Sequence, residues 1–281
     1  MQPHHGDAAN AWRHCPTGRS RAGARRSGSP GIIAPRSPLI AAQFLTRLPV
    51  PIAPAAEPAE IGSAIGWFPT VGILIGAVLA GVDLALSGLV SDDARSALLV
   101  ATLVALTGAL HLDGLIDTVD GLYAGPDANA RLAAMRQSTA SGPGAVAGVL
   151  AVLALYAAFS GLGQHERVRA LMLAPLASRT AILLSYHLYP YARVEPTISR
   201  ALKDGACRPR LMGGVASAGL FAIAVAGAHG LATLLLALLL AALIGRMILT
   251  RLPGQTGDTH GAIAEITQLA VLFVAPALLA P

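Results

Sequence analysis

Seven stretches of this 281-residue chain are apolar enough, over enough length, to cross a lipid bilayer as helix. A bilayer's hydrocarbon core is about 30 Å thick and takes about 20 mostly apolar helical residues to span. Runs of that kind lie near 61–86, 95–111, 143–163, 168–188, 211–228, 230–250 and 262–280. Lipid offers no hydrogen-bond partners to the backbone, so runs like these must be helices packed on one another. The expected fold is an all-α polytopic membrane protein of about seven transmembrane helices. A composition of 54% hydrophobic and 12% charged residues agrees, being too apolar for an ordinary soluble domain. The stretch PLIAAQFLTRLPVP (38–51) is too short to span and is expected at the interface or re-entrant.

Between the spans, Lys and Arg are distributed unevenly. With the N-terminus in the cytoplasm, every basic residue in a loop or tail except Arg95, Arg167 and Arg169 falls on the cytoplasmic side. Arg179 alone lies within a span. That is the positive-inside bias, and it puts three polar segments, 107–142, 187–210 and 250–265, on the cytoplasmic face. The net charge of +5 is accounted for by residues 1–37, where six arginines face the single acid Asp7, so no nucleic-acid partner is implied. Rich in Arg, Ser, Gly and Pro, residues 1–37 are expected to be a disordered basic leader ahead of a membrane domain at 38–281. Cys15 and Cys207 have no neighbouring Cys or His at ligand spacing and read as incidental thiols.

The second run ends in TGALHLDGLIDTVDGLYAGPD (107–127), which delivers Asp113, Asp117 and Asp120. On a helix, residues four and three apart share one face, so the three carboxylates form a single anionic stripe. Like charges at that spacing beside a bilayer persist only if some are protonated or a cation holds them. Carboxylate oxygens suit a hard divalent ion such as Mg²⁺ or Mn²⁺. His111 lies on another face of the same helix and reads as a packing or substrate contact.

A second constellation is GQTGDTHGAIAE (254–265), where Asp258 and Glu265 share a helical face behind the polar turn Gln255, Thr256 and Gly257. That turn is expected to cap a helix whose N-terminus attracts phosphate. Arg179 must find a partner inside the bundle, either a phosphate or one of the acids. Arg193, Arg200, Lys203, Arg208 and Arg210 need no reading beyond positive-inside bias.

On these residues the chain resembles the cobalamin synthase family, membrane-bound adenosylcobinamide-GDP ribazoletransferases. The resemblance rests on FLTRLPVP (44–51), WFPTVGILIGA (67–77), GALHLDGLIDTVDGL (108–122), MRQS (135–138), SR (178–179), YAR (191–193) and GQTGDTHGAIAE (254–265). It implies a multi-pass protein of the cell inner membrane that uses Mg²⁺. The substrates it implies are adenosylcobinamide-GDP and α-ribazole or its 5′-phosphate, with GMP released and the lower nucleotide loop of cobalamin closed. By the same resemblance Asp113, Asp117 and Asp120 hold the metal. Asp258 and Glu265 serve catalysis, and Arg136, Arg179, Gln255 and Thr256 contact the substrate phosphates. Association with other enzymes of the pathway is a further implication. The family's usual M-R-D-S is here Met135, Arg136, Gln137 and Ser138, and Pro253 replaces the first glycine of its G-G-Q-T-G-D. Two other classes also place spaced acids near helix ends: membrane transferases of the CDP-alcohol phosphatidyltransferase or prenyltransferase type, and cation-coupled transporters. Transporter acids, however, sit near midplane, commonly in repeated halves, and no repeat is visible here.

Overall fold

The computed structural model describes residues 36–50 and 56–279, so the expected leader lies outside the described residues apart from Arg36 and Ser37. Eleven α-helices account for the described chain, without a strand among the described residues. They are α1 (Ser37–Leu45), α2 (Pro58–Ala64), α3 (Phe68–Leu86), α4 (Asp92–Thr107), α5 (Leu110–Tyr123), α6 (Ala128–Ala134), α7 (Gly142–Ser160), α8 (Arg167–Leu188), α9 (Ile198–Gly205), α10 (Arg208–Leu249) and α11 (Gly257–Leu278).

Five described helical segments are long and apolar enough to cross a membrane: α2 running through a 3₁₀ turn into α3, then α7, α8, α10 and α11. A sixth arises if α4 and α5 count as one broken span. The outer faces of α7 and α10 carry exposed leucines such as Leu150, Leu153, Leu235 and Leu239, a surface suited to lipid rather than water. At 42 residues α10 would be about twice as long as a bilayer is thick if it were straight. It breaks at Ala226 and Gly227 (φ 56°, ψ −140°), and Gly230 returns against the carbonyl of Ala222, so its two arms form a tight hairpin. Those arms are the expected runs at 211–228 and 230–250.

The second expected run ends differently. α4 stops at Thr107 because Gly108 (φ 62°) and Ala109 (φ 58°) are both left-handed, and α5 leaves at 85° to α4. Two successive left-handed residues cannot continue a right-handed helix. The acids of the first motif therefore stand on a helix of their own rather than at the end of a span.

α8 is the hub, buried along nearly its whole length. α3 crosses it closely because Gly72 and Gly76 have no side chains: a Cβ on Gly72 would lie 2.6 Å from the Pro175 carbonyl oxygen, and one on Gly76 would lie 2.8 Å from the Met172 Cα. Small residues at such crossings are how helices gain contact in lipid, where no hydrophobic force drives them together. Cys207, expected to be an incidental thiol, is buried, and Cys15 lies outside the described residues.

At the bundle end where α8 begins, Asp83 of α3 accepts from Arg167 Nε at 2.6 Å and lies 3.6 Å from Arg95 Nε, all three side chains about 4% exposed. Arg167 also donates to the carbonyls of Phe159 (2.9 Å) and Leu162 (3.2 Å), tying α3, α4, α7 and α8 together. Removing one member of a buried ion cluster strands the other charges. Asp83→Ala is therefore expected to destabilise the protein by about 3–5 kcal/mol, read as a lower thermal unfolding midpoint in detergent. An unchanged midpoint would show that the cluster does not hold these helices.

Candidate active site

The three polar segments converge at the other end of α8. Two backbone hydrogen bonds start the assembly. Gln255 N donates to Pro190 O and Ala192 N to Gln255 O, both at 2.8 Å, in an isolated parallel bridge between Tyr191 and Gln255. Gly254 lies against that bridge, where a Cβ would come 2.8 Å from Ala192 N. Pro253 tolerates a side chain in the position before it, so the departure at 253 leaves the contact intact. The Gln255 amide donates to Gly245 O at 2.8 Å, which fastens the turn to the end of α10. Arg131, from α6, adds hydrogen bonds to Gly125 O (2.7 Å) and Arg251 O (2.8 Å).

Downstream of the turn, Thr256 caps α11 in a reciprocal box with Thr259, as expected of that sequence. Asp258 follows in the first turn. It accepts from Arg193 at 3.0 Å and from Thr256 Oγ1 at 3.2 Å, both on Oδ2. α5 then crosses α11 at two glycines. A Cβ on Gly114 would meet Asp258 O at 2.7 Å and the Gly261 Cα at 3.2 Å. This crossing sets Asp113 and Asp117, flanking Gly114, beside Asp258, close enough that Asp117 feels the charges of Asp113 and Asp258 directly. Arg193 opposes them from the α8–α9 loop. Asp113 is exposed, and Asp117 and Asp258 are half-buried, so the cluster opens outward.

Asp120 is placed differently from its two neighbours. It is buried and accepts from Ser141 N (2.8 Å), Gly144 N (2.7 Å) and the Ser141 hydroxyl. These are the free N–H groups at the start of α7, so this carboxylate caps a helix. Among the described residues no three His, Cys, Asp or Glu side chains form a ready metal cage. The donor set still fits Mg²⁺, which is commonly held by one or two carboxylates together with substrate phosphates and water.

Glu265 and Arg179 lie two turns deeper, inside the bundle. Arg179 is 1% exposed and donates to Gln268 at 2.6 Å and to Ser178 at 3.3 Å. Glu265 acts on it electrostatically and has one oxygen, Oε1, without a hydrogen-bond partner. Of the two partners expected for Arg179, the acid that acts on it is Glu265. Arg136 stands on the rim, paired at 2.5 Å with Glu195, and its hydrogen bond holds the Glu195 carboxyl below the usual range. Gln137 is exposed in the turn after α6. His111 is buried where α5 crosses α11, consistent with a packing role.

Two features escaped the sequence reading. Arg193 reads in the sequence as positive-inside bias, yet it faces the acids; its place in the YAR segment is the available signal. Nothing in the spacing indicated that the rings of Tyr186 and His260 would pack at 3.6 Å, with Tyr191 at 6.4 Å from each. Beside them Lys203 donates to Tyr186 O (2.7 Å) and Tyr189 O (2.6 Å), closing α8, and burial pushes its ammonium down to about 8.

Comparison with known proteins places this geometry in a family. Residues 37–276 match the sequence model described as cobalamin-5-phosphate synthase. The chain is similar to the adenosylcobinamide-GDP ribazoletransferase of Pseudomonas paraeruginosa, 41% identical over 242 residues, covering 84% of this chain and 96% of that protein. It is also similar to the protein of the same name from Desulforamulus reducens, 33% identical over 236 residues, covering 84% and 94%. No solved structure matches the chain.

The placement of Asp120 yields a test. Asp120→Ala removes the acceptor for three hydrogen bonds and is expected to cost about 1–3 kcal/mol of stability, seen as a lower thermal midpoint, while binding of Mn²⁺ as a stand-in for Mg²⁺ is largely kept. Lost Mn²⁺ binding with an unchanged midpoint would make Asp120 a ligand instead of a cap.

Proposed function

The chain belongs to the cobalamin-5-phosphate synthase family, and on that premise we propose that it transfers the cobinamide phosphate of adenosylcobinamide-GDP to α-ribazole or its 5′-phosphate, releasing GMP. The observation that carries the reading is the meeting of Asp113, Asp117 and Asp258 with Arg193 at one open end of a membrane bundle. Phosphoryl transfer needs positioning and charge neutralisation more than covalent chemistry, and this cluster offers both.

In this reading Asp113 and Asp117 hold Mg²⁺. When bound, the ion neutralises the diphosphate and polarises the reacting phosphoryl group. A nucleoside hydroxyl oxygen forms a bond to the cobinamide-linked phosphorus as the bond from that phosphorus to the GMP oxygen breaks. Asp258 accepts the hydroxyl proton; its Oδ2 is occupied by Arg193 and Thr256, which leaves Oδ1 for the task. Arg193 and, once released from Glu195, Arg136 neutralise the diphosphate at the rim. Arg179 and Glu265 act from below by fixing α8 against α11. Gln255 and Thr256 hold the turn in place, the Gln255 amide N–H donating to Gly245 O and the Thr256 hydroxyl accepting from Thr259 N, while Gln255 Oε1 keeps no partner of its own. Gln137, exposed in the turn after α6, is compatible with activity in this reading.

The basic segments support an orientation with the N-terminus and the acid cluster in the cytoplasm, in the cell inner membrane, where a soluble nucleotide substrate is available. Other enzymes of the pathway are candidate partners on that face.

Purified protein in lipid is expected to form GMP and the cobalamin product from adenosylcobinamide-GDP and α-ribazole with Mg²⁺, and to stop when the ion is chelated. Asp113→Asn and Asp117→Asn should each lower the rate at least ~10²-fold, the usual effect of losing a main electrostatic element. Near-normal turnover in both variants would overturn the metal assignment.

A further inference from the structure

A cavity of about 460 Å³ lies between α1, α2, the α4–α5 bend and α9, outside the acid cluster but next to it. Leu110 lines it, and Asp113 follows one turn later on the same side of α5. From α9, Ile198 and Leu202 line it, five residues and more after Arg193 in the chain. Its volume falls within the ordinary range for small-molecule sites, and its walls are mostly apolar.

The wall chemistry narrows the occupant. Phe44 and Phe68 face it as a stacked pair, ring centroids 5.9 Å apart and 19° from parallel. The two threonine hydroxyls in the wall are satisfied by their own helices, Thr46 by Ala42 O at 2.7 Å and Thr107 by Leu103 O at 2.8 Å. That leaves Gln43 and Arg47, both exposed, as wall side chains with no hydrogen bond or ion pair among the described residues. Arg47 is nevertheless placed: its backbone N–H donates to Leu106 O at 2.7 Å, and its guanidinium lies on Gly108, where a Cβ would come 2.9 Å from Nη2. A guanine would leave several donors and acceptors unmatched on these walls, at a cost for each. An apolar bicyclic aromatic base would not.

We propose that this cavity is the nucleoside subsite: it takes the aromatic base of α-ribazole 5′-phosphate, and Arg47 binds the 5′-phosphate. The proposal rests on the function argued above and adds where the acceptor sits and that the phosphorylated form is the better acceptor. A guanidinium is well suited to a phosphate, through paired charge-assisted hydrogen bonds. The base in the cavity holds the ribose toward α5, on the side where Asp113 begins the acid cluster.

The test uses the full chain in lipid nanodiscs, comparing wild type with Arg47→Gln and Ile198→Trp. Ile198 is half-exposed, so the larger ring narrows the cavity from its open side, and thermal midpoints equal to wild type confirm folding. Arg47→Gln is expected to raise KM for α-ribazole 5′-phosphate about tenfold more than KM for α-ribazole, the size of one lost charged hydrogen bond. Ile198→Trp should raise KM for both nucleosides alike, and neither variant should change KM for adenosylcobinamide-GDP. Equal effects of Arg47→Gln on the two nucleosides would overturn the phosphate contact. A rise confined to adenosylcobinamide-GDP would assign the cavity to the other substrate, and no change in any KM would assign it to lipid or to nothing. If wild type turns over neither nucleoside, the functional reading itself falls. Equilibrium dialysis with α-ribazole 5′-phosphate then decides the subsite separately: saturable binding weakened in Ile198→Trp upholds it, and binding absent or unaltered overturns it.

Discussion

The site depends on how closely α5 can approach α11. Gly114 and Gly261 meet with backbone nearly on backbone, and a side chain at Gly114 would push the helices apart. Because Asp113 and Asp117 flank one glycine and Asp258 stands a turn before the other, the crossing is also what concentrates negative charge. Such a cluster is electrostatically unfavourable on its own. Arg193 offsets part of it, and a bound cation is the natural partner for the remainder.

The two ends of the bundle handle charge in opposite ways. Around Asp83 the ions are buried, paired and inaccessible, which is the arrangement of a structural clamp. Around Asp117 they are half-open and carry an excess of one sign, the arrangement of a binding site. α8 connects the two and carries Arg179 between them. Most of the polar groups placed inside the bundle have partners from a second helix, as a medium without water demands. The unpartnered Oε1 of Glu265 and Nε of Arg179 are exceptions, directly beneath the acid cluster.

Aromatic and apolar elements complete the functional end. The Tyr186, His260 and Tyr191 rings pack behind Asp258 and make its helix rigid against α8. Beside the acid cluster, α1 and α9 enclose an apolar cavity whose free polar groups belong to one short stretch, Gln43 to Arg47. On the proposed reading, the acid cluster serves the diphosphate and the apolar chamber beside it serves the base.

Much of this was legible in the chain alone, because it depends on local pattern. Twenty-residue apolar runs must become packed helices in lipid, and the break in α10 at Ala226 and Gly227 falls just before the expected boundary between the runs at 211–228 and 230–250. The cap formed by Thr256 was readable from its neighbours, and the spaced acids marked the functional end. The sequence by itself thus determined a helical membrane protein with an anionic motif and its family. Only the tertiary structure decided which charges act together. Asp113, Asp117 and Asp120 share a face on paper, but Gly144 and Ser141 claim the third, and Arg193 and Asp258 join from segments 80 and 145 residues beyond Asp113. Helical periodicity describes one helix at a time, whereas a carboxylate's role is set by whichever donors other helices bring within about 3 Å.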